Sequence, residues 1–133
     1  MSESSKTSKP ARTRKPLIYL VDDEPLLLDL AEATLQDHFQ TKKFQDPEEA
    51  WKKFGKESPK PALLITDYAM GKMNGVELIT RCKNAHPELK TILLSGTAGA
   101  EIVLNAPVKV DRFLGKPYAP AVLLEAVQQV LAG

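Results

Sequence analysis

The chain predicts an α/β protein built on a doubly wound, five-stranded parallel sheet with helices on both faces. Short runs, apolar except for a weak second one at Thr41 to Gln45, alternate with five segments of helical spacing along its 133 residues. The first of them, Leu17 to Val21, is uninterrupted, as expected of a strand covered on both sides, where a half-exposed strand would alternate polar and apolar. Strict βα alternation then requires parallel pairing through right-handed crossovers. A composition of 43% apolar and 6% aromatic residues suits one aliphatic core.

Leu17 to Val21 is the first run, ending at Asp22-Asp23-Glu24. Pro25 suits the first turn of a helix, and Leu27, Leu30, Ala31 and Leu35 supply an apolar stripe through about His38. Thr41 to Gln45 reads as a short second strand. Asp46-Pro47-Glu48-Glu49 then provides an N-cap, a proline at N1 and an acidic first turn for a helix to about Lys56, with Trp51 and Phe54 as its core face. Ala62 to Thr66 is the third run and stops at Asp67. After a loop from Tyr68 to Met73, Asn74 and Glu77 form a cap pair for a helix carrying Val76, Leu78, Ile79 and Cys82, closed by His86-Pro87. Thr91 to Leu94 is the fourth strand. A short helix is expected over Glu101 to Asn105, limited by Pro107. Arg112 to Leu114 makes the fifth strand, and Ala121 to Leu131 the last helix.

The net charge of +1 conceals an uneven distribution. Residues 1–15 hold five basic residues against Glu3, leaving 13 basic and 16 acidic residues in the remainder. The basic end is expected to be a disordered tail and residues 16–133 the domain, so nucleic acid is not an expected partner of the domain itself. The longest apolar runs fall far short of the roughly 20 residues of a membrane span. No signal-type apolar stretch is present. Cys82 is the only cysteine, which rules out an intrachain disulfide or a cysteine-built zinc site and suits the cytoplasm.

In a doubly wound sheet, ligands sit beyond the carboxyl ends of the strands. Those positions carry Asp22, Asp23 and Glu24 after the first strand, Asp67 after the third, Ser95 after the fourth and Lys116 after the fifth. Two unit charges about 4 Å apart interact by about 4 kcal/mol at an effective dielectric of 20, so converging carboxylates need cations. Hard oxygen ligands favour Mg²⁺, with Mn²⁺ as an alternative, completed by a phosphate oxygen; Lys116 adds a fixed positive charge. A carboxylate in that setting can attack phosphorus, because the developing charge is neutralised around it. Asp67 stands alone at the end of a central strand and is the preferred nucleophile. The Asp22-Asp23 pair reads as metal ligands, and the Ser95 hydroxyl as a donor to the phosphoryl group.

Four segments together resemble the receiver domain of two-component response regulators: Leu20-Val21-Asp22-Asp23-Glu24-Pro25, Ile65 to Leu78 with Asp67 and Asn74-Gly75, Leu93-Leu94-Ser95-Gly96, and Phe113-Leu114-Gly115-Lys116-Pro117. The resemblance implies a (βα)5 flavodoxin-like three-layer sandwich that accepts a phosphoryl group on Asp67. It implies a metal site of Asp22, Asp23, Asp67 and the Ala69 backbone carbonyl, Lys116 as the phosphate-binding lysine with a cis bond to Pro117, and Ser95 with Phe113 as the switch pair. It implies as donor a histidine kinase or histidine phosphotransfer protein, and as output an unidentified downstream protein or a phosphorylation-linked homodimer. Such a receiver is a signalling module that promotes its own phosphorylation and dephosphorylation, not an enzyme acting on an external substrate.

Three departures qualify the expectation. Gly71 stands where the family commonly has proline, loosening the loop near the metal. The segment from Thr97 to Val110 is short for a full helix. No output domain follows, so the chain is expected to be a stand-alone receiver or an excised piece. The rivals are weaker: a flavodoxin-type phosphate loop is incompatible with Asp22-Asp23-Glu24, and a dehalogenase-type nucleophile needs a second aspartate where Ala69 stands. No Walker loop, Gly-x-Ser-x-Gly elbow or zinc spacing occurs. The remaining alternative is a phosphorylation-independent interaction module on the same fold.

Overall fold

The computed structural model describes residues 15–96, 99 and 101–133. The expected basic tail, apart from Lys15, lies outside them, as do Thr97, Ala98 and Ala100. Five strands, β1 (Leu17–Val21), β2 (Gln40–Phe44), β3 (Leu63–Asp67), β4 (Lys90–Ser95) and β5 (Arg112–Gly115), alternate with five helices, α1 (Pro25–Leu35), α2 (Pro47–Lys56), α3 (Gly75–Ala85), α4 (Glu101–Leu104) and α5 (Pro120–Ala132). The sheet is parallel throughout in the order β2-β1-β3-β4-β5.

The pleat divides the core in two. Ile18, Leu20, Leu63, Ile65, Ile92, Leu94 and Leu114 pack with Leu28, Ala31 and Leu35 of α1 and Leu123, Ala126 and Val127 of α5. Tyr19, Val21, Leu64 and Leu93 face the other way, onto Ala50 and Phe54 of α2 and Leu78, Ile79 and Cys82 of α3. β1, β3 and β4 carry apolar residues toward both layers, which explains their continuous hydrophobicity. β2 is an edge strand, and its sequence Gln-Thr-Lys-Lys-Phe buries only Phe44.

Local chemistry sets the helix starts. Asp46 accepts the Glu48 backbone N–H at 2.9 Å, with Pro47 in the first turn. Asn74 and Glu77 form a reciprocal capping box, each side chain accepting the other's backbone N–H at 2.9 Å. Two core assignments need correction. In α1 the buried stripe is Leu28, Ala31 and Leu35, whereas Leu30 is 56% exposed; the helix is apolar nearly all round, so spacing alone did not select its inner face. In α2, Phe54 is buried but Trp51 is only half-buried, stacked on Phe54 at 6.3 Å, and Ala50 takes the inner position. α4 is a single turn, as the short connection anticipates.

Candidate functional site

Strand register brings the site residues together. β1 and β3 pair Val21 with Thr66, so Asp22 and Asp67 are the next residues on adjacent strands. β3 pairs Asp67 with Leu94, and β4 pairs Ser95 with Gly115, which leaves Ser95 and Lys116 just beyond. Carboxylate oxygens of Asp22, Asp23 and Asp67 lie within 4.8 Å of one another. Asp22 and Asp67 are buried at 4% and 7% exposure, while Asp23 faces solvent.

Lys116 reaches this cluster from two strands away. Its backbone N–H donates to the Ser95 carbonyl at 2.8 Å, and its stem runs past Gly96, where an added Cβ would stand 3.5 Å from the Lys116 Cβ. Nζ then lies 3.0 Å from Asp22 Oδ2 and 3.1 Å from Asp67 Oδ1. The peptide bond from Lys116 to Pro117 is cis. Asp22 Oδ1 also accepts the Glu24 backbone N–H at 3.0 Å. Helix capping does not account for the acidic pair: the N-cap residue of α1 is Glu24, without a side-chain cap bond.

One ammonium shared by two buried carboxylates leaves the electrostatics incomplete. Burial pushes the Asp67 carboxyl above its ordinary value; Lys116 pulls it down through its hydrogen bond and charge, Asp22 pushes it up, and the Tyr68 backbone N–H pulls it down. Burial lowers the Lys116 ammonium, but its bonds to Asp22 and Asp67 more than offset this and raise it overall. The same contact thus favours the lysine's charge fully and that of Asp67 only in part. Three carboxylates against one lysine leave an excess of two negative charges, which with an all-oxygen donor set matches a hard divalent cation.

Ser95 is buried at 3% exposure at the end of β4. Phe113 pairs with Leu93, two residues earlier in the register than the Ser95–Gly115 pair, so Phe113 and Ser95 share one face of the sheet. Phe113 is half-buried against the α2–α3 layer, where Ile102 and Val103 of α4 also pack. Ala69 lies exposed in the loop after Asp67.

Two contributors escaped the sequence reading. Tyr118, two residues past Lys116, has its phenol raised above the ordinary value, by burial first, with Lys116 lowering it and Asp22 and Asp67 raising it. It also lines an apolar groove of about 710 Å3 along α1, with Leu27, Leu30, Ala33, Pro117 and Pro120. Its place in the turn from β5 into α5 puts it near the strand ends, but no sequence signal tells which neighbours it meets. Gly75 opens α3 directly over Asp67: its N–H donates to the Tyr68 carbonyl at 2.9 Å, and an added Cβ would stand 2.8 Å from Leu93 Cδ1 and closer still to the Asp67 carbonyl. Glycine there lets the helix approach the strand that carries Asp67.

Comparison with known proteins agrees with this geometry. The response regulator receiver domain family matches residues 18–128. The chemotaxis protein CheY1 of Helicobacter pylori is 34% identical over 86 residues, covering 62% of this chain and 68% of that protein. A chemotaxis protein CheY homolog of Campylobacter jejuni is 29% identical over 119 residues, covering 86% and 91%. A CheY-like receiver domain protein from Methanospirillum hungatei superposes with a TM-score of 0.80 at 27% identity, covering 89% of this chain and 94% of that one. With this fold, this cluster at its strand ends and a family match over nearly its whole length, the chain belongs to the response regulator receiver domains, the phosphoryl-accepting signalling modules of two-component systems.

Proposed function

We propose that Asp67 is the phosphoryl acceptor, that Asp22, Asp23, Asp67 and the Ala69 carbonyl hold Mg²⁺ or Mn²⁺, and that Lys116 is the fixed counter-charge. The observation that carries this reading is the Lys116 ammonium within 3.1 Å of both buried carboxylates in a cluster that remains net negative. When bound, the cation neutralises phosphoryl oxygens and so lowers the charge repulsion that an attacking carboxylate meets.

An Asp67 carboxylate oxygen attacks the phosphorus of a phosphohistidine. The P–O bond forms as the P–N bond breaks, and the electron pair leaves with the imidazole nitrogen. Lys116 moves its hydrogen bonding from Asp67 to a phosphoryl oxygen, and the Ser95 hydroxyl donates to another. Phe113, on the same sheet face as Ser95, follows that movement and alters the partner surface near α4. Water then attacks the phosphorus of the acyl phosphate: a new P–O bond forms as the P–O bond to Asp67 breaks, inorganic phosphate leaves, and the Asp67 carboxylate is restored. In this reading the domain itself promotes both steps, receives its phosphoryl group from a histidine kinase or phosphotransfer protein in the cytoplasm, and passes the signal to a downstream protein or a second copy.

Acetyl phosphate or beryllofluoride with Mg²⁺ tests the assignment by intact mass and NMR shifts. The wild type should respond only with Mg²⁺, and Asp67→Asn should not respond at all. Labelling that persists in Asp67→Asn would defeat the proposal. Ser95→Ala should accept the group yet show a weak conformational response; a full response removes Ser95 from the switch.

A further inference from the structure

The loop from Asp67 to α3 makes a left-handed turn at Gly71, where φ is +82°, and seats Met70 and Met73 in the core at 6% and 2% exposure. It brings the start of α3 directly over the end of β3. There Gly75, the first residue of the helix, meets the peptide that joins Asp67 to Tyr68. The carbonyl oxygen of that peptide is the atom that a Cβ at residue 75 would strike first. Its carbonyl carbon would stand 3.1 Å away and Leu93 Cδ1 2.8 Å, both inside the 3.4 Å at which ordinary contact begins.

The other end of the same peptide serves the acceptor. Its N–H, that of Tyr68, donates to the Leu94 carbonyl at 2.8 Å and also favours the charged form of the Asp67 carboxyl. A side chain at residue 75 can be accommodated in two ways. If α3 holds its place, the peptide turns away about the Asp67 Cα, and its N–H leaves Leu94 and the carboxylate. If α3 recedes, it draws with it the Tyr68 carbonyl, which accepts the Gly75 N–H at 2.9 Å, and pulls the chain just past Asp67. The Asn74–Glu77 capping box and the fully buried Leu78 and Ile79 hold the first turn of α3 and favour the first route. Movement of Leu93 relieves only its own contact. Both routes displace the backbone that carries Asp67, whose Oδ1 lies 3.1 Å from Lys116 Nζ. We infer that Gly75 is a positioning residue for phosphoryl transfer: the bare Cα lets α3 clamp the Asp67–Tyr68 peptide and so fixes the Asp67 carboxylate between Lys116 and the other acidic groups. The inference rests on the assignment of Asp67 as acceptor proposed above.

The rate of labelling of the full chain by acetyl phosphate at saturating MgCl₂, followed by intact mass, tests this alongside urea midpoints that report folding. Gly75→Ala should slow labelling about 10-fold or more, since misplacing a reacting group by on the order of 1 Å can cost about 10²-fold. A merely structural glycine would lower the urea midpoint and leave the folded protein labelling at the wild-type rate, which overturns the inference. Leu35→Ala separates stability from position. Leu35 is a fully buried residue at the far end of α1, so its truncation should lower the midpoint and leave the rate unchanged. Slowing in Leu35→Ala equal to that in Gly75→Ala would mean that the rate follows stability, and also overturns it. If Gly75→Ala does not fold, Asn74→Ala decides: it frees the start of α3 by removing the cap, without a steric conflict, and should slow labelling about 3-fold. An unchanged rate in that variant overturns the inference. Failure of the underlying assignment is separately visible, as no labelling of the wild type or labelling that persists in Asp67→Asn.

Discussion

Lys116 holds two opposed relationships in one side chain. It neutralises Asp22 and Asp67 from about 3 Å, and for the same reason it competes with any cation for those oxygens. Lys116→Ala should therefore bind Mg²⁺ more tightly, on the order of 5-fold, since a like charge has been removed from the site. The same variant should lose the conformational response to beryllofluoride, because the ligand's fluorides lose their fixed ammonium partner. Calorimetry and NMR shifts separate the two effects. Asp22, Asp67, Ser95 and Lys116 were all visible in the sequence because each ends an apolar run. Tyr118 was not, since a tyrosine after a proline carries no sign of which neighbours it will turn back upon.

The helices show where pattern reading holds and where it fails. α3 was predicted nearly to the residue, because a capping box and a closing His-Pro define its ends chemically. The inner face of α1 was not, because Leu26, Leu27, Leu28 and Leu30 offer several apolar stripes of similar quality. Packing against β1, β3 and α5 chooses Leu28 and leaves Leu30 beside the groove. Leu28→Ala should cost about 2–5 kcal/mol, as expected of a filled core position. Leu30→Ala should change stability by less than about 0.5 kcal/mol. Urea denaturation of the two variants checks the assignment, and equal costs would contradict it.

For the whole molecule, a second ion-pair centre lies at the opposite end of the sheet from the acidic cluster. Asp111, just before β5, accepts from Lys83 Nζ at 3.1 Å and from the Thr91 backbone N–H at 2.8 Å, tying α3 to the β4–β5 edge. Burial pushes its carboxyl up, but the Thr91 N–H and Lys83 outweigh burial and hold it below the ordinary 3.8. A depressed carboxylate contributes stability above its unfolded value, and the contribution is lost as pH falls through the folded value. Asp111→Ala should therefore cost about 3 kcal/mol at neutral pH, since it strands a largely buried lysine. The gap between wild type and variant should stay level down to about the ordinary value of 3.8 and narrow below it. Urea midpoints measured from pH 7 to pH 2.5 check this; a gap that widens toward acid reverses the sign and refutes it.

The amino-acid sequence by itself determined the βα alternation, the parallel sheet and the identity of the residues at the strand ends. These follow from hydrophobic period, capping chemistry and chain topology, which are local or nearly so. Tertiary structure alone decided which carboxylates share Lys116, which face of α1 turns inward, how closely Gly75 approaches Asp67, and that Gly71 takes a left-handed turn. Those depend on strand register and on competition between distant surfaces for the same buried volume. A linear pattern names the participants, but close packing sets the distances that give them charge, order and reactivity.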